Sequence, residues 1–204
     1  MSRYVVGIDE VGRGSLAGPV MVAAVILWPT FRLIRNNHLP LRDSKRLSPK
    51  QREEWFSYFK NHPCLSYATS RVYPRQIEKI NISRAANRAA FRAFSRLSII
   101  YNLKPKTCRI YLDGGLYLGK KEYSPSTSSG RITVKTVIRG DEKIKAIMIA
   151  SIIAKVHRDR LMKRLAKKYP KYSFEIHKGY GTKRHRLALA RHGPSAAHRI
   201  TFIS

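Results

Sequence analysis

Carboxylates are scarce in this sequence: 12 Asp and Glu stand against 41 Lys and Arg, a formal charge of +29. That imbalance argues for a polyanionic partner, with nucleic acid ahead of an anionic membrane surface or a merely soluble basic protein. Duplex affinity is then expected to fall steeply with salt, because each neutralised phosphate releases counterions. Cysteine is scarce too. Cys64 and Cys108 lie far apart with no companion Cys/His spacing, which speaks against zinc and against a disulfide framework. Long apolar runs are missing: those near 20–28 and 146–154 are too short to span a bilayer. The N-terminal stretch has no cleavable apolar core, so a cytoplasmic protein without a membrane anchor is expected. Global disorder is excluded by an apolar fraction of 43% with 10% aromatics, ordinary for a globular chain. With no internal repeat or linker, 204 residues are read as one domain, 1–204. Its core covers about 1–168 and a C-terminal helical segment about 171–204.

The few carboxylates are placed with a pattern. Asp9 and Glu10 close the apolar run 4–8, Asp113 closes 109–112, and Asp141 follows 136–140. Acidic residues after strand-like runs, in a chain this poor in them, suit a hard divalent cation such as Mg²⁺ or Mn²⁺ shared with a substrate phosphate. A basic surface around such a centre suggests an enzyme that cuts a nucleic-acid backbone.

Residues 4–9, 19–28, 65–72, 108–112 and 132–138 read as strands from their β-branched, apolar composition. Helices are expected from Pro49 to about Lys60, Ser83 to about Tyr101, 143–168, and about Thr182 to His192. Ser48, Pro49 and Gln51 form the start of the first as N-cap, N1 proline and capping-box partner. Arg84, Arg88, Arg92 and Arg96 lie four apart and form one stripe, either a solvated face or a phosphate-tracking ridge. Residues 124–130 read as a surface loop. Strands mixed with long helices indicate an α/β sheet with helices packed on it. Open α/β sheets place ligands at strand ends, where Asp9 and Asp113 fall. Glu10, the next residue along a strand, is expected to point away from Asp9. The glycines of Gly12-Arg13-Gly14 let the backbone turn close to a ligand, and N–H groups exposed there can cradle an anion or meet a sugar hydroxyl.

The most specific string is Gly7-Ile8-Asp9-Glu10-Val11-Gly12-Arg13-Gly14-Ser15-Leu16-Ala17-Gly18-Pro19. With Asp43-Ser44-Lys45, Leu112-Asp113-Gly114, Gly140-Asp141, Ala150–Asp159, His177–Thr182, and Gly193-Pro194 followed by His198-Arg199, it resembles ribonuclease HII, the type 2 ribonuclease H family. The resemblance spans nearly the whole chain in the family's order. It implies a ribonuclease H-like fold, a mixed central sheet flanked by helices, with a C-terminal helical segment that helps grip a duplex. It implies cleavage of RNA paired to DNA, and incision 5′ of a single ribonucleotide embedded in duplex DNA, leaving 3′-hydroxyl and 5′-phosphate ends. The substrates implied are RNA–DNA hybrid duplexes and DNA containing ribonucleotides, handled by a monomer.

Carried over by position, the catalytic and metal-holding carboxylates are Asp9, Glu10, Asp113 and Asp141, with two divalent ions about 4 Å apart over the scissile phosphate. Asp9 is the residue expected to bridge both ions. Glu142, next to Asp141, stays open as its substitute. Four carboxylates together repel, so the metal-free site is expected to be loose or partly protonated. The resemblance gives Gly12, Arg13 and Gly14 the task of reading the ribose 2′-hydroxyl through the backbone, and Tyr180 that of stacking on the neighbouring deoxyribose. Ser44, Lys45, Lys178 and Thr182 are expected phosphate contacts. His177, His185 and His198 are expected to be structural or phosphate-facing. The chain departs from many members at Ile144, Met148 and Ile149, where small residues are common, and in the arginines of the 81–94 helix. Repacking against the sheet and tighter nonspecific duplex binding are the expected consequences. The chain ends two residues after Phe202, which leaves little room for a C-terminal docking peptide that would recruit a clamp-type partner. Two alternatives remain at this point. One is another metal nuclease on the same fold, which would not need Gly12-Arg13-Gly14 or Tyr180. The other is a basic nucleic-acid-binding protein without catalysis.

Overall fold

The computed structural model describes residues 4–33, 40–103, 108–119 and 133–203. Five strands, β1 (Tyr4–Val11), β2 (Val20–Leu27), β3 (Leu65–Val72), β4 (Cys108–Asp113) and β5 (Thr133–Val137), form one sheet in the order β3-β2-β1-β4-β5. β1 pairs antiparallel with β2 and parallel with β4; β2–β3 is antiparallel and β4–β5 parallel. The helices are α1 (Pro49–Lys60), α2 (Pro74–Ile80), α3 (Ile82–Ile100), α4 (Gly140–Lys143), α5 (Lys145–Lys168), α6 (Phe174–His177) and α7 (Lys183–His192).

All eight residues of β2 are buried, because both faces of the sheet are covered and an unbroken apolar run suits such a strand. Val20, Val22, Ala24 and Ile26 pack in one cluster with the alanine stripe of α3, Ala85, Ala86, Ala89, Ala90 and Ala93. Ala23, Val25 and Leu27 belong to the opposite cluster with Trp55, Phe56 and Phe59 of α1 and Ile149, Ile152 and Ile153 of α5. Strand alternation distributes the two sets. A third cluster, including Ala17, Met21, Met162, Phe174 and Leu189, seats the C-terminal segment on α5. At Gly7 of β1 the backbone of α5 comes so near that a Cβ would lie 2.1 Å from the carbonyl carbon of Ala146. This close approach brings the first turns of α5 against the strand that holds Asp9.

Several boundaries differ from the sequence expectation. β1 runs on to Val11, so Asp9 and Glu10 lie inside the strand, held by pairing with Ala23 and Val22 of β2. The helix expected over 143–168 is α5, which starts two residues later, at Lys145; the short α4 before it was not expected and is set off by Ile144, whose backbone is extended (φ −114°, ψ 113°). α2 is additional to the expected elements. At Ser48 the capping box is present, with Gln51 N–H donating to the Ser48 hydroxyl (3.2 Å) and Ser48 N–H to the Gln51 side chain (2.9 Å). The loop expected over 124–130 lies outside the described residues. No helix among the described residues is long and apolar enough to cross a membrane.

Candidate active site

β1 and β4 run in parallel, and their last paired residues are Ile8 and Leu112. The next residue on each strand is therefore a carboxylate, Asp9 beside Asp113, at one end of the sheet. Pairing of β1 with β2 continues to Val11–Met21, so the other side of residues 9–11 is an open edge beyond the end of β4. Glu10 departs from the expected orientation. Asp9, Glu10 and Asp113 each offer a carboxylate oxygen within 4.8 Å of the others. The Glu10 N–H donates to Asp9 Oδ1 (2.7 Å), and the Glu10 carboxylate gathers with those of Asp9 and Asp113.

Asp141 joins the group from α4. Gly140 N–H donates to Asp113 Oδ1 (2.7 Å), and the Asp141 N–H also donates to Asp113. The extended backbone at Ile144 separates α4, which makes these bonds, from α5. Asp141 is buried, and its Oδ2 lies 3.3 Å from Lys45 Nζ. It is not among the three carboxylates that meet within 4.8 Å. Glu142, its proposed substitute, is exposed.

Asp9 is held well above the usual carboxylate range, first by burial and then by the charges of Asp113 and Glu10, with a hydrogen bond from Ser151 opposing. Burial also raises Glu10, against the pull of Arg13, whose Nη1 lies 3.2 Å from Glu10 Oε1. Asp113 is raised by burial, with the Gly140 N–H opposing and the Asp141 charge adding. Glu10 Oε2 is buried without a hydrogen-bond partner among the described residues. Mutually repelling carboxylates, one with an orphaned oxygen, form a donor set of hard oxygens that fits a divalent cation.

Ser151 is a site residue that sequence reasoning missed as such, although it is a lone hydroxyl within the apolar run Ala146–Ala154. It bonds Asp9, and its Oγ lies 2.8 Å from Ser44 Oγ. Ser44, an expected phosphate contact, is itself buried, with its hydroxyl against that of Ser151. Lys45 remains exposed. Gly12 is buried in a left-handed turn (φ 86°), Arg13 spans Glu10 and the Ser83 hydroxyl (2.9 Å), and Gly14 is exposed.

Lys178, Tyr180 and Thr182 lie on the C-terminal segment, docked on the loop after β1. Leu16 N–H donates to the Gly179 carbonyl (2.9 Å) and Ala17 N–H to the same oxygen (3.2 Å). Thr182 is exposed and caps α7, accepting from His185 N–H (3.4 Å). The Tyr180 ring lies 5.3 Å from Arg158 Cζ and 5.9 Å from Lys155 Nζ. His177, His185 and His198 are buried and bonded to one another or to backbone, the structural half of their expectation. Of the arginine stripe, Arg84, Arg88 and Arg96 are exposed and Arg92 is half-buried.

A mixed five-stranded sheet with acidic side chains gathered at the end of its central parallel pair defines the ribonuclease H-like class of α/β fold. The sequence profile of ribonuclease HII matches residues 6–204, and the chain belongs to that family. It is 43% identical over 199 residues to ribonuclease HII of Endomicrobium trichonymphae, covering 97% of this chain and 84% of the relative. The crystal structure of ribonuclease H2 from Pyrococcus horikoshii superposes with a TM-score of 0.71 at 26% identity, covering 97% of this chain and 93% of that one. Bst-RNase HIII, solved in complex with Mn²⁺, shares the fold with a TM-score of 0.70 at 18% identity, over 98% of this chain and 67% of that one. The chain is accordingly a hydrolase of the ribonuclease H type.

Proposed function

We propose that this protein hydrolyses the RNA strand of RNA–DNA hybrids and incises DNA duplexes 5′ of single embedded ribonucleotides, leaving 3′-hydroxyl and 5′-phosphate ends. The observation that carries the reading is the convergence of Asp9, Glu10 and Asp113 within 4.8 Å in a chain of net charge +29. Asp9, Glu10, Asp113 and Asp141 would hold Mn²⁺ or Mg²⁺, two ions when substrate is bound. The Mn²⁺ complex of Bst-RNase HIII supports the choice of ion class. Such ions lower the pKa of water and stabilise the attacking and leaving oxygens of phosphodiester hydrolysis.

The protein's own groups divide the remaining work. Ser151 fixes the Asp9 carboxylate, backed by Ser44. Gly140 and Asp141 N–H groups orient Asp113. Lys45 and Lys178 bring positive charge to the substrate phosphates, and exposed Thr182 offers a hydroxyl at the start of α7. The turn at Gly12-Arg13-Gly14 presents backbone to the sugar, and the 2′-hydroxyl is the group that separates RNA from DNA there. The Tyr180 ring packs against a neighbouring deoxyribose and fits poorly against a ribose that carries the hydroxyl.

The test is a strand-resolved digest of three end-labelled duplexes: a hybrid, a DNA with one ribonucleotide, and an all-DNA control. Each is run with Mg²⁺, Mn²⁺ or excess chelator. Cleavage is expected in the first two with either ion, with 3′-hydroxyl products. Equal cutting of the all-DNA duplex overturns the substrate assignment, and activity that persists in chelator overturns the metal assignment.

A further inference from the structure

Arg158 and Arg199 are both fully buried, and neither forms an ion pair among the described residues. A guanidinium taken out of water is costly unless its fork of donors is used. Here the donors go to backbone. Arg199 donates from Nη2 to the Gly12 carbonyl (2.7 Å), from Nη1 to the Arg13 carbonyl (2.8 Å), and from Nε and Nη2 to the Gly18 carbonyl (3.0 and 2.9 Å). Arg158 donates to the Ser15 hydroxyl (2.8 Å) and the carbonyls of Ala17 (3.1 Å), Pro19 (3.1 Å) and Lys178 (2.9 Å). Ser15 in turn donates to the Gly12 carbonyl (2.9 Å).

A trans peptide points its N–H opposite to its C=O. Drawing the Gly12 carbonyl inward therefore turns the Arg13 N–H outward, and drawing the Arg13 carbonyl inward turns the Gly14 N–H outward. Neither N–H donates to another group among the described residues. We infer that Arg199 is a positioning residue that holds these two peptides as a donor pair for the ribose 2′-hydroxyl, while Arg158 ties their loop to the turn carrying Tyr180. The inference rests on the ribonucleotide reading proposed above. The sugar-reading backbone and the sugar-stacking ring are then one rigid unit, joined through two side chains that never meet the substrate.

The experiment compares dissociation constants for a DNA duplex with one ribonucleotide and for the all-DNA duplex, in Mg²⁺ and an Asp9→Asn background that binds without cutting. Arg199→Lys keeps the charge and loses the fork. It is expected to cut the preference for the ribonucleotide duplex about tenfold, with all-DNA binding changed by less than about twofold. A role in stability alone moves both constants together or neither, so an unchanged ratio overturns the inference. Phe94→Leu, a remote core substitution matched for lost thermal stability, is expected to keep the ratio. If Arg199→Lys fails to fold, Ser15→Ala carries the test with an expected drop of about threefold, and an unchanged ratio again overturns the inference. A parent with no preference for the ribonucleotide sinks the functional reading and this inference with it. A parent whose preference survives both variants sinks this inference alone.

Discussion

The acidic centre and the C-terminal segment docked beside it solve opposite electrostatic problems. At the centre, three carboxylates repel one another, burial raises each of them, and one buried oxygen has no partner among the described residues. In the C-terminal segment, buried polar groups are as dense but satisfied. His198 Nδ1 accepts from Ser195 N–H (2.9 Å), which puts its proton on Nε2, facing His185 Nε2 at 3.0 Å. His185 then donates from Nδ1 to the Tyr180 carbonyl (2.9 Å). His177 accepts from Gly179 N–H (3.2 Å) and donates to the Tyr172 carbonyl (2.7 Å). Each ring has one donor and one acceptor used, so all three are neutral with fixed tautomers. A fully satisfied network rigidifies, whereas a partly satisfied one awaits a ligand. The contrast separates the candidate cation site from the part that holds its shape.

The largest effect expected from breaking this contrast is at Asp9. Asp9→Asn should lower cleavage of a ribonucleotide-containing duplex by about 10²–10³-fold or more, with duplex binding retained in a gel-shift titration. Intact cleavage would move the carboxylates out of the chemistry. Ser151→Ala comes next. It removes the hydroxyl that bonds Asp9 and leaves Ser44 without that partner, so Mn²⁺ affinity should weaken by about 10–100-fold, read by calorimetric titration. An unchanged affinity would make Ser151 a packing residue only.

These two residues also show what the sequence could and could not reveal. The strands, the Ser48 cap and the acidic residues were legible, because β-branched runs, capping-box spacing and rare carboxylates are local signals. The break at Ile144 was not. Ile144 lies just inside the helix expected from 143, and four-residue α4 before it carries no period of its own; the bond from Gly140 to Asp113 that holds α4 is a tertiary contact. Alternation misdirected the reading of Glu10, since the open edge depends on where β4 ends. Seven-residue α2 (Pro74–Ile80) carries too little periodicity to separate it from the turn that Pro74 signals. Arg158 entered the sequence reading within the string Ala150–Asp159. Its burial, like that of Arg199, depends on carbonyls from a loop distant in sequence, and composition has no view of that convergence.

Within the C-terminal segment, His198→Ala should leave the Ser195 N–H and His185 Nε2 without their partner, at about 1–3 kcal/mol of unfolding free energy for an unsatisfied buried group. Chemical denaturation should show that loss, while the Mn²⁺ titration stays where it was. A shift in the titration would mean that the two regions are coupled, and the contrast would not hold.

The smallest effect is in the pH dependence, and there the two regions oppose each other. Carboxylates raised in the folded state bind protons that the unfolded chain does not, so in excess chelator their contribution to stability falls as pH rises through their folded values. The buried histidines run the other way. Burial first, then neighbouring charge, lowers His198 to about 4 and also lowers His177 and His185, so stability falls as pH drops below the ordinary histidine value of about 6.5. The parent's melting curve mixes both trends; the difference between Asp9→Asn and the parent isolates the first. In chelator that difference should favour the variant increasingly as pH rises and Asp9 gives up its proton among its neighbours. It should shrink as acid protonates Asp9 in the parent, and saturating Mn²⁺ should reverse its sign by stabilising the parent alone. A difference that is flat with pH would show that Asp9 is not held above its ordinary range, and the acidic centre would lose the frustration that sets it apart from the histidines.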